Sequence, residues 1–330
     1  MTKVVIGGGG PSGLALAALL ASRGCETIVI DPLRPLVDRL ELLAPSLWPV
    51  LRRAGIDGLL EDPSIARDCL GISQQWDGLP KKRTDFLRHP FRLGKIVQRS
   101  KLRDLLAVRA RTFGVTFIAA RAMRTDIHAD GVRISTDCSQ STLISADLVV
   151  DATGRAAQLS RRLGARQVMY DPQIAVRISN FFAQDDAVGP VWLTSHKRSG
   201  DHAWTYSVAG PAGASEVWRV GPTDAFGNVD RSTEVDASTR IIAPAAGARW
   251  LAIGDASASF DPLASQGLAH AFGTALAAAG LIISGRYLSE TAMNDYATAV
   301  SVTAAASLAA KLRTDFLANF STAGTKVSWL

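Results

Sequence analysis

The first thirty-one residues follow the order strand, turn, helix, strand. Lys3-Val4-Val5-Ile6 predicts a short apolar strand, the glycine-rich stretch 7–13 a turn, and the Ala/Leu-rich stretch 14–23 a helix. A second apolar strand at 27–30 ends on Asp31. This pattern predicts a βαβ unit at the start of the chain.

Later in the chain the pattern of apolar positions changes twice. The middle predicts a helix, a strand, a β-hairpin and a buried strand, at 101–113, 115–118, 123–136 and 145–150. From 173 to 220 strand-like runs rich in aromatic residues replace the βα alternation, which predicts an antiparallel sheet. Residues 265–284 then predict a long, buried, Ala-rich helix, and 291–330 a helical C-terminal segment.

The glycines of the first turn give the first functional hypothesis. Gly8, Gly10 and Gly13 match the spacing G-x-G-x-x-G, and Asp31 lies eighteen residues after the last of them. In a dinucleotide fold these glycines allow a tight turn, close approach of a pyrophosphate and close packing of helix on sheet, while the acid binds a ribose. Since strand, helix, second strand and acid are all present, we predict that a dinucleotide binds at this helix start.

Two later strands end in short motifs of interest. Asp-Ala-Thr-Gly at 151–154 ends one strand, where a glycine lets backbone pass close to an adenine dinucleotide; an ordinary turn explains it equally well. The buried strand 250–253 ends in Gly254-Asp255. A carboxylate there suits a ribitol hydroxyl, and the helix start that follows suits the N1/O2 edge of a flavin.

Four large aromatic residues lie close together in the predicted sheet, Trp192, Trp204, Tyr206 and Trp218. Aromatic residues fill the core of a sheet more often than they line a site, but this concentration also makes the sheet a candidate wall for an aromatic or apolar substrate. The sequence leaves both interpretations open. His270, on the predicted long helix, is interpreted as a core histidine.

Composition narrows the class of protein. The chain has 330 residues, 47% of them hydrophobic, and no Gly/Pro-rich linker or internal repeat, which favours one compact body. Cys25, Cys69 and Cys138 lie far apart, which argues against a disulfide framework or metal cluster and favours a cytoplasmic location.

Charge and hydropathy narrow the partners. The net charge is +6, and the basic segment at 81–103 is interpreted mainly as a solvated face, with contact to a flavin pyrophosphate or to an acidic partner as the alternatives. We expect no nucleic-acid partner. The apolar stretch 265–284 contains polar residues and glycines, so we expect no transmembrane segment.

The separated motifs together resemble the flavoprotein monooxygenase superfamily. The resemblance is carried by the first glycine turn with its acid, the strand end at 152–154, and the pair at 254–255 with the loop at 261–267. Gln98-Arg99, ahead of a helix, also resembles the arginine-containing stretch that contacts FAD in this superfamily.

The variant motif Ala-Thr-Gly-Arg at 152–155 indicates the branch. It is similar to tryptophan halogenases, to geranylgeranyl-reductase-like enzymes, and to the flavoproteins that mature tryptophylquinone-containing amine oxidases and dehydrogenases. The stretches 41–45, 203–207 and 260–267 resemble the last group most. The W-x-W-x-I-P stretch of the halogenases is absent, and no lysine is placed as their hypohalous-acid relay, since Lys81 and Lys82 are interpreted as surface residues.

The resemblance implies an α/β fold with a Rossmann FAD domain of glutathione-reductase type, an inserted antiparallel β-sheet substrate domain and C-terminal helices. The implied ranges are 1–70, 95–160 and 245–290 for the FAD-binding domain, 71–94 and 161–244 for the substrate domain, and 291–330 for the helical segment.

The resemblance also implies the cofactor and its contacts. FAD is expected to be held by Gly8, Gly10, Gly13, Asp31, Arg99, Gly254, Asp255, Pro262 and Gly267. Pro262 and Gly267 are expected to abut the flavin ring. No catalytic base or nucleophile is assigned, and no metal is expected.

The implied activity is monooxygenation. Reduced flavin, supplied by an external electron donor, would form a C4a-hydroperoxide with O₂ and hydroxylate an aromatic ring, tryptophan-like and held in a peptide or protein precursor of a tryptophylquinone. The alternatives are tryptophan halogenation, reduction of a prenyl lipid, and a non-catalytic role as an FAD-containing maturation chaperone.

Overall fold

A computed structural model describes residues 1–33, 37–91, 93–137, 143–182, 189–198, 201–227, 233–262 and 265–322. The helices there are α1 Pro11–Ala21, α2 Trp48–Arg53, α3 Arg99–Thr112, α4 Gln158–Arg162, α5 Gly267–Ile283 and α6 Glu290–Thr322. The strands are β1 Lys3–Gly7, β2 Glu26–Ile30, β3 Leu40–Leu43, β4 Ala66–Trp76, β5 Lys82–Asp85, β6 Gly94–Gln98, β7 Thr116–Ile118, β8 Ala122–Ile127, β9 Val132–Thr136, β10 Leu143–Ala146, β11 Leu148–Asp151, β12 Arg166–Asp171, β13 Ile174–Phe182, β14 Val191–Lys197, β15 Trp204–Ala209, β16 Ala214–Gly221, β17 Glu234–Asp236, β18 Thr239–Ala243, β19 Ala246–Gly247, β20 Trp250–Ala252 and β21 Ala258–Ser259.

The predicted βαβ unit is present, and its helix begins earlier than the apolar pattern indicates. α1 begins at Pro11 because Gly10 has extended backbone and proline fits the first helical position, where no N–H is needed. Residues 11–20 are all buried, so α1 runs through the interior and presents no polar face. It packs against α3 and α5.

A six-stranded sheet lies beside this helix in the order β19-β20-β11-β1-β2-β7. All neighbouring strands are parallel except β19 and β20. Gly7 pairs with Asp151, and Asp151 pairs with Ala252, so β1, β11 and β20 end side by side. The three motifs that follow these strands therefore meet at one edge, where open α/β sheets bind ligands.

The second large sheet has nine strands and is mixed, not antiparallel throughout as predicted. Its order is β17-β13-β16-β15-β14-β4-β6-β3, with β5 added beside β4. β13 to β16 pair antiparallel, but β14 pairs parallel with β4. A parallel pair needs a long crossover, and here the chain supplies one by passing through α3 and several strands between β4 and β14.

Two three-stranded sheets complete the described fold. The predicted hairpin at 123–136 is present as β8 and β9, which form a three-stranded sheet with β10, and β12, β18 and β21 form another. The main apolar core surrounds α1 and the six-stranded sheet. Among the described helices none is both long and apolar enough to cross a bilayer. Cys138 and 323–330, the last part of the predicted C-terminal segment, lie outside the described residues.

Candidate cofactor and substrate site

The three predicted glycines have different surroundings. A Cβ at Gly8 would lie 2.2 Å from the carbonyl oxygen of Ala152, and one at Gly13 would lie 2.1 Å from the carbonyl oxygen of Gly8. Gly8 also has a φ of +116°, which favours glycine. A Cβ at Gly10 would meet nothing within 4 Å, and Gly10 lines a cavity. The protein's own packing thus requires Gly8 and Gly13, whereas Gly10 leaves open space at the start of α1.

Asp31 contacts the glycine turn directly. One carboxylate oxygen accepts the Gly9 N–H at 2.5 Å, and the other accepts the Leu33 N–H at 2.7 Å. Asp31 itself does not line the cavity. Its visible effect is to fix the turn beside the end of β2, and the ribose contact stays a prediction.

Asp151 shapes the strand end that passes under Gly8. Its buried carboxylate accepts hydrogen bonds from the backbone N–H and hydroxyl of Thr153 and of Ser160, at 2.6 to 2.9 Å. The Ala152 N–H donates to the carbonyl of Gly7 at 2.8 Å. These bonds hold the Ala-Thr-Gly turn against the glycine turn of β1.

Gly254 and Asp255 lie where the sequence predicts, next to the start of α1. Gly254 has a φ of +57°, and a Cβ there would lie 2.6 Å from the Ser12 hydroxyl oxygen. Its N–H donates to the Thr274 hydroxyl on α5 at 2.9 Å. Asp255 lines the cavity, with a carboxylate oxygen 3.8 Å from Arg155 Nε. The turn is therefore fixed by α1 and α5 while its carboxylate faces the cavity.

Arg155 is a cavity residue that sequence reasoning missed, although it directly follows the Ala-Thr-Gly motif. Its guanidinium donates to the carbonyl of Ser238, to the Ser259 hydroxyl at 3.2 Å and to the carbonyl of Phe260 at 3.0 Å. It thus connects the Ala-Thr-Gly turn to the segment after Asp255.

Arg99 lines the cavity together with two residues for which no site role was predicted, Arg39 and Glu41. One Glu41 oxygen lies 2.9 Å from Arg99 Nη1 and 2.7 Å from Arg39 Nε. Burial works to raise the pKa of the Glu41 carboxyl, but the two arginines outweigh it and hold the pKa below its ordinary value. Two guanidinium groups share one carboxylate, so this part of the cavity wall carries an excess positive charge.

Pro262 and Gly267 line the cavity near Asp255, and the loop that carries them is tied to the last helix. Lys311 of α6 lies 2.9 Å from a carboxylate oxygen of the buried Asp261 and also pairs with Asp171. Leu263 and Ala264, between these positions, lie outside the described residues.

His270 is buried on α5, as expected of a core histidine. Its Nε2 lies 2.9 Å from the Ser257 hydroxyl, and its ring packs edge-on against Phe260. Burial lowers the pKa of His270 to about 4. The ring is therefore neutral at physiological pH.

The cavity continues from the cofactor side to the inner face of the nine-stranded sheet. Leu193, Ser195, Trp204 and Tyr206 line the part of it that meets this sheet, its far or substrate end. Trp192 and Trp218, the other two candidate wall residues, do not line it. Trp192 packs beside Gly71 and under Arg83, and Trp218 is fully buried with its indole N–H donating to Glu216 at 2.8 Å. Of the predicted aromatic wall, Trp218 is thus sheet core, and Trp192 is half-buried on the face away from the cavity.

The described residues fit an FAD molecule. The start of α1 has no side-chain cap, so its N–H groups face the open space at Gly10. Arg99 Nε is buried and has no hydrogen-bond partner among the described residues, as expected of a donor kept for a ligand. Asp255 adds an acceptor farther along the same cavity.

Comparison with protein families decides the identity of this site. The model of the FAD binding domain family matches residues 1–225. The chain belongs to this family. It is an FAD-dependent oxidoreductase of the flavoprotein monooxygenase superfamily, as the motifs predict.

Two curated relatives of this FAD protein have different activities. A 1H-pyrrole-2-carbonyl-[peptidyl-carrier protein] chlorinase of Pseudomonas fluorescens is 25% identical, over 85% of this chain and 75% of its own. A menaquinone reductase of Mycobacterium tuberculosis is 26% identical, over 84% of this chain and 76% of its own. The family is thus clear, while the relatives leave the reaction open.

Solved structures with the same fold also differ in activity. The flavin-dependent brominase Bmp2 has a TM-score of 0.76 at 18% identity, covering 91% of this chain and 83% of its own. The peptidyl tryptophan dihydroxylase QhpG has a TM-score of 0.67 at 17% identity, covering 91% of this chain and 71% of its own. At these identities the likeness establishes the fold alone.

Proposed function

We propose that this FAD protein is a monooxygenase that hydroxylates a tryptophan-like aromatic ring, held in a peptide or protein precursor of a tryptophylquinone. The observation that carries the proposal is the single cavity that joins the open space at Gly10 to the aromatic side chains of Trp204 and Tyr206. An electron-rich ring lying on that wall would face the cofactor end of the same cavity.

In this proposal the cofactor contacts follow the cavity lining. The start of α1 at Gly10 and the guanidinium of Arg99 would hold the pyrophosphate, and Asp255 would accept a ribitol hydroxyl. Pro262 and Gly267 would abut the flavin ring. Bound, reduced FAD would supply electrons to O₂, so that one oxygen atom enters the ring and the other leaves as water.

We also propose the glutathione-reductase-type arrangement of the FAD domain and the division into FAD-binding and substrate domains predicted from the sequence. The parallel sheet around β1 and the three-stranded sheet of β8 to β10 support it. The cytoplasmic location stays a prediction, which rests on the scarce, widely spaced cysteines.

The chain's own residues would position the substrate and exclude water. Trp204 and Phe260 are buried and apolar where they line the cavity, so a bound ring would displace solvent from the space next to the cofactor. Arg155, through its bonds to Ser238 and Phe260, would keep that wall in place. This chemistry requires no protein base, and we assign none.

Halogenation is the second candidate, because a chlorinase is among the curated relatives and a brominase shares the fold. Lysine is absent from the described residues that line the cavity, and Lys81 and Lys82 are exposed. This observation favours hydroxylation, since the halogenase relay would need a lysine between flavin and substrate.

The deciding experiment uses FAD-reconstituted protein, an NADH-driven flavin reductase as external electron donor, and a tryptophan-containing peptide. In isotopically heavy O₂ with chloride and bromide present, we expect the peptide to gain the mass of labelled oxygen. The matched control is the same peptide with phenylalanine in place of tryptophan, which should gain nothing.

Other results would overturn the proposal. A halide added in place of oxygen would establish halogenation. Unmodified peptide, with O₂ consumption no greater than without peptide, would favour the non-catalytic chaperone. Oxygen-independent reduction of a menaquinone by the reduced protein would favour the prenyl-lipid reductase, in line with the mycobacterial relative.

A further inference from the structure

The far end of the cavity combines apolar and aromatic side chains with one buried hydroxyl. Leu193 and Ser195 alternate along β14 and both line the cavity, as do Trp204 and Tyr206 on the neighbouring strand β15. Ser195 pairs with Tyr206 in the antiparallel register, so the two side chains lie beside each other on one face.

The hydroxyl of Ser195 has no hydrogen-bond partner among the described residues, although the residue is only 4% exposed. Such groups are rare in folded proteins, because a buried polar atom without a partner destabilises the fold. The outer face of the same two strands shows the usual outcome, since the hydroxyls of Thr194 and Ser207 bond each other at 2.6 Å. The unpaired hydroxyl is thus confined to the face that lines the cavity.

The aromatic side chains next to Ser195 are held in fixed positions. Trp204 meets Trp76 edge-on at 6.2 Å between ring centroids, and Tyr206 stacks nearly parallel to Trp218 at 6.4 Å. Burial raises the pKa of the Tyr206 phenol above its ordinary value, so this group stays neutral. A flat ligand placed against these rings would bring its edge to a fixed distance from Ser195.

We propose that Ser195 Oγ recognises the substrate by accepting a hydrogen bond from an N–H or O–H group on the substrate's aromatic ring. This inference rests on the proposed function and names the group of the ring that the cavity recognises, a group that indoles share with pyrroles and phenols. In these rings the heteroatom that makes the ring electron-rich also carries the hydrogen that a serine oxygen can accept. Ser195 is in this sense a specificity-determining residue and performs no chemical step.

The test compares indole with indene as probes, because the two have nearly the same shape and only indole carries a ring N–H. Calorimetric titration of the FAD-reconstituted protein should give about tenfold tighter binding of indole. In Ser195→Ala the two probes should bind alike. The control Thr194→Ala removes a hydroxyl from the outer face and should keep the tenfold preference.

A second readout keeps the test informative if probe binding is weak. Ser195→Ala removes a buried hydroxyl without a partner, so its denaturant midpoint should equal or exceed that of the unchanged protein. Ser195→Cys keeps the approximate size of the side chain and offers only a weak acceptor, so it should also lose the preference for indole.

Equal binding of indole and indene to the unchanged protein would overturn the inference, and so would a preference that survives in both Ser195 variants. These titrations involve no turnover. Protein that shows a Ser195-dependent preference but leaves the peptide unmodified would refute only the proposed reaction. A working hydroxylase whose preference for indole ignores Ser195 would refute only this inference.

Discussion

The two ends of the cavity are built from different parts of the chain. At the cofactor end, backbone meets backbone, and a methyl group at Gly8 or Gly13 would lie close to 2 Å from a carbonyl oxygen. At the substrate end, side chains of Trp204, Tyr206 and Leu193 form the wall, and they stand on a regular sheet. The first end therefore depends on the absence of side chains and the second on their identity.

This difference explains why the comparisons agree on the cofactor and disagree on the reaction. A turn fixed by backbone contacts tolerates few sequences. Side chains on a sheet face can change without moving the backbone. A substrate wall of this kind can therefore differ between proteins of one fold, as the different activities of the relatives and structural neighbours require.

The largest expected effect would come from Gly8→Ala, which should break the cofactor end. The added methyl group would lie 2.2 Å from the Ala152 oxygen at a φ that alanine rarely adopts. We expect a loss of at least about 4 kcal/mol in the free energy of unfolding, measured in urea, or failure to fold. Gly10→Ala is the matched control, because its methyl group meets no protein atom; it should change the free energy of unfolding by less than about 0.5 kcal/mol while weakening FAD binding about tenfold.

Lys311→Met should show how much the contact between α6 and the loop at Asp261 contributes to the stability of the fold. The substitution removes the ammonium group that lies 2.9 Å from the buried Asp261 carboxylate, so we expect a loss of about 3 kcal/mol in the free energy of unfolding. The exposed Lys81→Met should cost less than about 0.5 kcal/mol. Equal stability of the two variants would contradict the assigned role of the Lys311 contact.

His270 predicts a pH dependence at the cofactor end. Its pKa is about 4 in the folded chain and would be about 6.5 in the unfolded chain, so the unfolded chain takes up the proton first as pH falls. The free energy of unfolding should drop by about 2 kcal/mol between pH 7 and pH 5 from this group. In His270→Gln that part of the drop should vanish, whereas the exposed His202→Gln should retain it.

Trp204→Phe should have a small effect on stability and the clearest effect on substrate binding. The smaller ring keeps an apolar contact with Trp76, so we expect a loss of about 1 kcal/mol in the free energy of unfolding. FAD affinity, measured by flavin fluorescence, should stay unchanged while indole binding weakens. A parallel loss of FAD affinity would show that the two ends of the cavity do not act separately.

The cofactor end could be predicted from the sequence because its motifs are local. Gly8, Gly10 and Gly13 follow β1, and Gly254 and Asp255 follow β20. Parallel neighbouring strands end at the same edge of a sheet, which brings such motifs together, and the resemblance to a flavoprotein superfamily implied that they hold one cofactor.

The remaining site residues depend on tertiary contacts that no local pattern specifies. Lys311 reaches Asp261 from fifty residues farther along the chain, through the packing of α6. Trp192 and Leu193 are both apolar, so the alternation on β14 did not reveal which one faces the cavity. In the structure Leu193 faces the cavity. The parallel pairing that holds β14 in place joins it to β4, a segment more than a hundred residues away in the chain.

The spacing of two residues along β14 and β15 has a practical consequence for protein engineering. Positions 193, 195, 204 and 206 share the cavity face, while Thr194 and Ser207 lie on the opposite face and bond each other there. A combinatorial library limited to those four positions would vary the shape and polarity offered to the substrate. It would leave every close backbone contact around Gly8 and Gly13 untouched, so we expect its members to retain a bound yellow cofactor while their preferred substrates diverge.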